Sequence, residues 1–182
     1  MACITDMDPE RKKTGEEDST FEACYPYELD IEGYEYNNNG EGLTDKYHDH
    51  DNIRYFTQSP KLGKTFEYEL MLSNSNSELL LTDDISNKER IKEMQRLGYS
   101  DALKKLPNRD IYKRISDSLC KCEWDDDEKK KALLASVYLQ SLSKGANALE
   151  LSQKLLDNYY SEHPQPFNVP QYIKDAITWL LK

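Results

Sequence analysis

Two carboxylates stand two residues apart near the start of the chain, Asp6 and Asp8 in the stretch MACITDMDPE. Hard divalent cations such as Mg²⁺ take oxygen ligands, and residues two apart in a strand point to the same side. A strand that runs through Asp8 would therefore bring both carboxylates to one face, and Pro9 would stop it. The same spacing suits a turn at a strand end, where Asp is enriched, so the local sequence leaves both readings open. A third carboxylate, Glu67, lies in GKTFEYEL just after Thr65. There Phe66 and Leu70 form an i, i+4 pair continued by Met71 and Leu72, which predicts a short helix with Glu67 in its first turn. Lys144, in SKGANALELSQKL, is the remaining chemically suggestive residue. By itself Lys144 reads as an ordinary helix-start lysine, although a lysine near a helix N-terminus opposes the helix dipole, which tilts slightly toward a role.

Two other motifs resemble sites and fail on chemistry. QSPKLGKTF contains Gly63-Lys64-Thr65, the tail of a phosphate-binding G-x-x-x-x-G-K-[ST] loop, but the first glycine position is Gln58 and Pro60 stiffens the segment. The wrap of backbone amides around phosphate needs that glycine's freedom, so ATP binding by this segment is not expected. YHDHD offers His48, Asp49, His50 and Asp51. A closed transition-metal site needs further ligands and groups to orient them, and a solvated loop is the simpler reading.

The elements that must position these residues divide the chain unequally. Length and patterning suit an α/β fold: a domain over residues 1–85 and a helical region over 86–182 packing on it. Within the first, residues 11–51 are charged, tyrosine-rich and irregular, a long polar insertion with the turn Asn37-Asn38-Asn39-Gly40 in its middle and a short strand around Tyr34 and Tyr36. A second strand is expected at Ile53–Thr57. From Asn87 onward the pattern is helical. Ile91 and Met94 fall at i, i+3, the carboxylates of DDDEKKKALLASVYLQSLS suit a helix N-terminus, and Leu149, Leu151, Leu155 and Leu156 mark an apolar side. In the last helix Ile173, Ala176, Ile177, Leu180 and Leu181 fall at i, i+3, i+4, i+7 and i+8, a stripe expected to be buried against the domain.

Composition sets limits on partners. The 182 residues carry 34 acidic and 24 basic side chains, a formal net charge of −10, so the average field repels nucleic acid and any DNA contact needs a local basic patch, bound cations or a partner. No stretch reaches the roughly 18 apolar residues of a membrane helix, and no secretory h-region follows Met1. A soluble, cytoplasmic protein is expected. Cys3, Cys24, Cys120 and Cys122 form no Cys-x-x-Cys pair, and reduced thiols are the simpler reading.

Taken in order, these pieces resemble a family. CITDMDPER looks like the Asp-x-Asp strand of a Toprim domain, and GKTFEYEL resembles the Thr/Ser-x-Glu helix start that follows it in OLD-family (overcoming lysogenization defect) ATP-dependent endonucleases. SKGANALELSQKL is similar to their Lys-Gly segment, and FNVPQYIKDAITWLL to their closing helix. The resemblance implies a partial Toprim-like sheet followed by a mainly helical C-terminal region. It also implies an ATPase half and a glutamate-bearing first strand and helix that this chain does not carry. The activity implied is metal-dependent hydrolysis of DNA phosphodiesters. Two cations roughly 4 Å apart hold the attacking and leaving oxygens, with Asp6, Asp8 and Glu67 as Mg²⁺ or Mn²⁺ ligands, Thr65 supporting Glu67, and Lys144 stabilising charge on the phosphate. The partners implied are DNA, in the complete enzyme, and the missing amino-terminal portion or a separate chain supplying it; ATP enters only through that portion, and an oligomer is compatible with the pattern. Alone, the chain is expected to be inactive. The alternative is a non-catalytic Toprim-like module that binds a protein partner.

Overall fold

The structure is a computed structural model that describes residues 1–29 and 31–182, the side chain of Lys144 excepted. In chain order the elements are β1 (Ala2–Ile4), β2 (Glu10–Lys13), β3 (Glu22–Ala23), β4 (Tyr34–Asn37), α1 (Asn39–Lys46), β5 (Arg54–Phe56), α2 (Phe66–Ser73), α3 (Lys88–Gln95), α4 (Tyr99–Leu103), α5 (Asp110–Lys121), α6 (Asp126–Leu139), α7 (Lys144–Tyr159) and α8 (Gln171–Leu180). This is an α/β chain in which helices predominate. It packs as two compact units, Met1–Glu69 with Val169–Lys182, and Leu70–Asn168. The sequence suggests a boundary at 85/86. The observed one falls inside α2, and the last helix belongs to the first unit.

In the first unit β1 and β5 pair in parallel, Ala2 opposite Arg54 and Ile4 opposite Phe56. The stretch between them, which the sequence reads as an irregular insertion with one short strand around Tyr34 and Tyr36, builds a three-stranded antiparallel sheet in the order β3-β2-β4, with the expected strand as β4. Its inner face is tied by Arg11, which meets Glu22 at 2.9 Å and the fully buried Glu28 at 3.5 Å, with its guanidinium 4.6 Å above the Tyr34 ring. The turn expected at Asn37-Asn38-Asn39-Gly40 is instead the start of α1. The Asn38 side chain accepts the Glu41 N–H at 2.8 Å, which makes Asn38 the N-cap of α1 and consumes a donor the helix start leaves open. Helix α8 packs on β1 and β5, where Trp179 meets Phe56 with ring centroids 6.2 Å apart and lies under the Arg54 guanidinium.

The apolar stripe of α8 is a correction to the sequence reading. The buried face is Tyr172 and Ala176, while Ile177, Leu180 and Leu181 are 51%, 60% and 82% exposed. A 3.6-residue period fixes that a helix has an apolar side but not that the domain is wide enough to cover all of it. Leu149 and Leu156 of α7 are exposed in the same way, and only Leu151 of that face is fully covered.

The second unit is a helical core around α6. Asp125 and Glu128 form a capping box at its start, and its residues Ala132–Tyr138 are buried without a break, because α3, α4 and α5 all pack against it. Ile91, Met94, Tyr112, Ile115 and Leu119 complete that core. A buried polar chain joins it to α7: Thr82 Oγ1 donates to Asn147 Oδ1 at 2.6 Å, and Asn147 Nδ2 donates to Tyr138 Oη at 3.1 Å.

Candidate functional site

Parallel strands leave their carboxyl ends as the usual place for chemistry in an α/β sheet, and here both chain segments leaving β1 and β5 carry polar side chains. Strand β1 ends at Ile4, four residues short of Asp8. The chain then keeps one more ladder bond, Thr5 N–H to the Phe56 carbonyl at 3.1 Å, and turns away. The expectation that strand alternation aims Asp6 and Asp8 together is therefore corrected. Asp8 sits at φ +42°, in the left-handed region that Asp tolerates better than most residues, with its N–H given to the Lys64 carbonyl at 2.9 Å. A kinked loop, not the two-residue period of a strand, sets where these carboxylates lie.

Gln58, which follows β5, organises that loop. Its side chain is an amide used at both ends: Oε1 accepts the Met7 N–H at 2.8 Å, and Nε2 donates to Asp6 Oδ1 at 2.8 Å and to Tyr172 Oη at 3.1 Å. The residue is only 2% exposed. Gly63 closes the turn beneath it. Its N–H bonds the Ser59 carbonyl at 2.7 Å, and a Cβ there would overlap Gln58 Cβ and stand 2.7 Å from the Ser59 oxygen, so the close approach itself requires glycine.

Helix α2 delivers Glu67 next to this loop. Thr65 stands before its first residue, with its carbonyl accepting the Glu69 N–H at 3.0 Å and its hydroxyl facing the Tyr68 N–H at 3.4 Å; the supporting position given to Thr65 is that of a helix cap.

The electrostatics show which groups share a region. Burial pushes the Asp6 carboxyl above its ordinary value, the Gln58 hydrogen bond opposes that, and the Asp8 and Glu67 carboxylates push it up again. Glu69 is raised by burial. Tyr172 is pushed up to about 12, first by burial and then, against the Gln58 bond, by Asp6, Glu69 and Glu67. Asp6, Asp8 and Glu67 thus come from three points of the chain into one electrostatic neighbourhood, together with Glu69 and Tyr172. The two added residues and Gln58 escape a motif search. Their only signals are the two-residue spacing of Glu67 and Glu69 and the i, i+4 pairing of Tyr172 with Ala176.

Neighbourhood is not coordination. Among the described residues no three His, Cys, Asp or Glu side chains are close enough to hold a metal ion. Asp6, Asp8 and Glu67 as they stand do not fit Mg²⁺ or Mn²⁺ as a finished ligand set, and no catalytic step is assigned through a cation. Lys144 is the first residue of α7 and its side chain lies outside the described residues. The other two sequence motifs are resolved by geometry. Lys64 is buried, with its ammonium 2.6 Å from the Cys24 carbonyl and 4.9 Å from the centre of the Tyr25 ring, so it faces the interior rather than a phosphate. His48 and Asp49 pair with each other at 2.9 Å, both well exposed, at the solvated end of α1.

No helix among the described residues is long and apolar enough to cross a membrane. Comparison with protein-family models, curated proteins and solved structures gives no match to this chain.

Proposed function

We propose that the chain is the carboxyl-terminal Toprim portion of an OLD-family ATP-dependent endonuclease, contributing Asp6, Asp8 and Glu67 to a site for metal-dependent hydrolysis of DNA phosphodiesters. The observation that carries this reading is the position of Asp6. It follows the carboxyl end of a parallel strand, and its carboxyl is pushed up by both Asp8 and Glu67, the other two members of the same three-residue pattern. Two-metal hydrolysis needs more carboxylates than these, so the remaining ligands come from polypeptide beyond this set. Charge argues the same way. The first unit holds 18 acidic and 9 basic residues, a formal −9 of the chain's −10, and DNA must be gripped by some other surface.

The test is plasmid nicking in Mg²⁺ or Mn²⁺ by the 182-residue chain, alone and joined to an OLD-type ATPase and first Toprim strand. The expected result is no cleavage alone and cleavage when joined, abolished by Asp6→Ala or Glu67→Ala and slowed by Lys144→Ala. Cleavage by the isolated chain that survives Asp6→Ala refutes the proposal. One observation favours the second reading, a non-catalytic interaction module: one oxygen of the Asp6 carboxylate is already bonded by Gln58. If the joined protein binds DNA and ATP but never cleaves, that reading replaces the first.

A further inference from the structure

We infer that the outer edge of β1, with the exposed flank of α8, is a strand-addition site for a partner polypeptide whose strand is apolar and carries lysine or arginine at one end. Among the described residues β1 has β5 as its one sheet neighbour. Its ladder bonds to β5 run from Met1 (Arg54 N–H to the Met1 carbonyl, 3.1 Å) and from Thr5 (3.1 Å to the Phe56 carbonyl). In a strand the residues between these, Ala2 and Ile4, turn their N–H and C=O the other way. That leaves a short row of backbone donors and acceptors facing outward, the template on which an extended segment adds.

The side chains around this edge are apolar where they are exposed. Ile4 lies opposite Phe56, on the face covered by α8, yet it is 53% exposed. On α8, Trp179 turns to β5, against Phe56 and Arg54. At roughly 100° per residue, Leu180 stands a quarter-turn round from Trp179 and Ile177 nearly opposite it. Both are exposed, so the flank of α8 turned away from Trp179 offers apolar side chains to a segment that comes alongside the pair. The other face of the pair is already lined, with Tyr47 and Tyr55 in ring contact at 5.1 Å. The incoming strand thus needs apolar residues on its α8 side, and its other side is free to vary.

Charge selects the occupant. The carboxyl end of β1 opens onto Asp6, Asp8, Glu67 and Glu69, and the unit as a whole carries the −9 noted above. A second copy carries the same net −9 on this unit and is repelled, whereas a basic end on the incoming strand meets opposite charge. The inference does not depend on whether those carboxylates hold a cation.

The test uses the full chain and three fluorescein-labelled peptides: an alternating valine-threonine strand with two lysines at one end, its backbone N-methylated twin, and a copy with glutamates for the lysines. The first peptide should bind saturably, the glutamate copy about tenfold more weakly at low salt with the gap closing as salt rises, and the N-methylated twin not at all. The doubly substituted chain Ile177→Ser/Leu180→Ser, whose changes are at exposed positions, should keep its circular dichroism and bind about tenfold more weakly. Amide exchange at Ala2 and Ile4 should slow in the complex. Equal binding of the N-methylated twin, no saturation up to millimolar peptide, or a dimer in sedimentation that excludes the peptide would each overturn the inference.

Discussion

Replacing Gln58 by leucine tests whether one amide holds the loop after β1. The side chains are close in size, so packing changes little and the cost falls on hydrogen bonds. The buried Met7 N–H, now bonded at 2.8 Å, would lose its partner, worth about 1–3 kcal/mol. Asp6 would lose its bond to Nε2, a charged acceptor whose loss costs about 1.5–3 kcal/mol when fully buried and less here, since Asp6 is half-buried. Tyr172 loses its bond as well. A total of about 3 kcal/mol follows, a large share of the about 5–15 kcal/mol that holds a domain together. Gln58→Glu separates the parts of that sum. It keeps an acceptor for Met7 but sets a second carboxylate against Asp6, so one of the two must stay protonated. Its loss should be at least as large at neutral pH and should shrink as the solution is acidified. The assay is urea unfolding followed by Trp179 fluorescence in a Trp124→Phe background, which reports the first unit because Trp179 packs on Phe56. A loss under about 1 kcal/mol for leucine, or a glutamate variant whose loss ignores pH, would refute the reasoning.

The unsubstituted protein should itself show a pH slope in the same assay. The folded-state values of Asp6 and Glu69 lie above the ordinary 3.8 and 4.5, so between the ordinary and the raised values the folded state binds more protons than the unfolded one. Stability of the first unit therefore falls as pH rises through that window and is regained on acidification through it; Asp6→Asn should flatten the slope. Gly63→Ala should cost about 3 kcal/mol, since the new methyl meets Gln58 and the Ser59 carbonyl, and the same urea titration reads it. Lys64→Met should cost about 2 kcal/mol by removing the bond to the Cys24 carbonyl and the contact with Tyr25. It should leave calorimetric titration with ATP flat, as in the unsubstituted chain.

Local chemistry was legible where one short segment decides the outcome. Phe66, Glu67 and Leu70 read as the start of a helix and form one, and the Arg54–Phe56 strand falls inside the expected Ile53–Thr57. What stayed hidden depends on partners distant in sequence. Of the three-stranded sheet at residues 10–37 only β4 was legible, as the short strand around Tyr34 and Tyr36; β2 and β3, four and two residues long, show no alternation of apolar and polar residues. Asp8 leaves the strand because its N–H is claimed by the Lys64 carbonyl, a contact across the whole insertion. Tyr172 joins the carboxylates only because α8 returns to β1 and β5, and the period of Ile173–Leu181 does not say which flank of that helix is left open.

The division of the first unit between residues 1–69 and 169–182 also fixes an order of events during synthesis. Every residue of the helical unit lies between the two pieces, so that unit is complete in sequence while the first still lacks α8. At about 5–20 residues per second, the hundred-odd residues separating Gln58 from Tyr172 take on the order of ten seconds to translate. For that interval the Asp6 loop has no tyrosine to bond and β1 and β5 have no helix to cover Phe56. The parallel pair is left as two short strands with the Phe56 ring uncovered on the face that α8 will close.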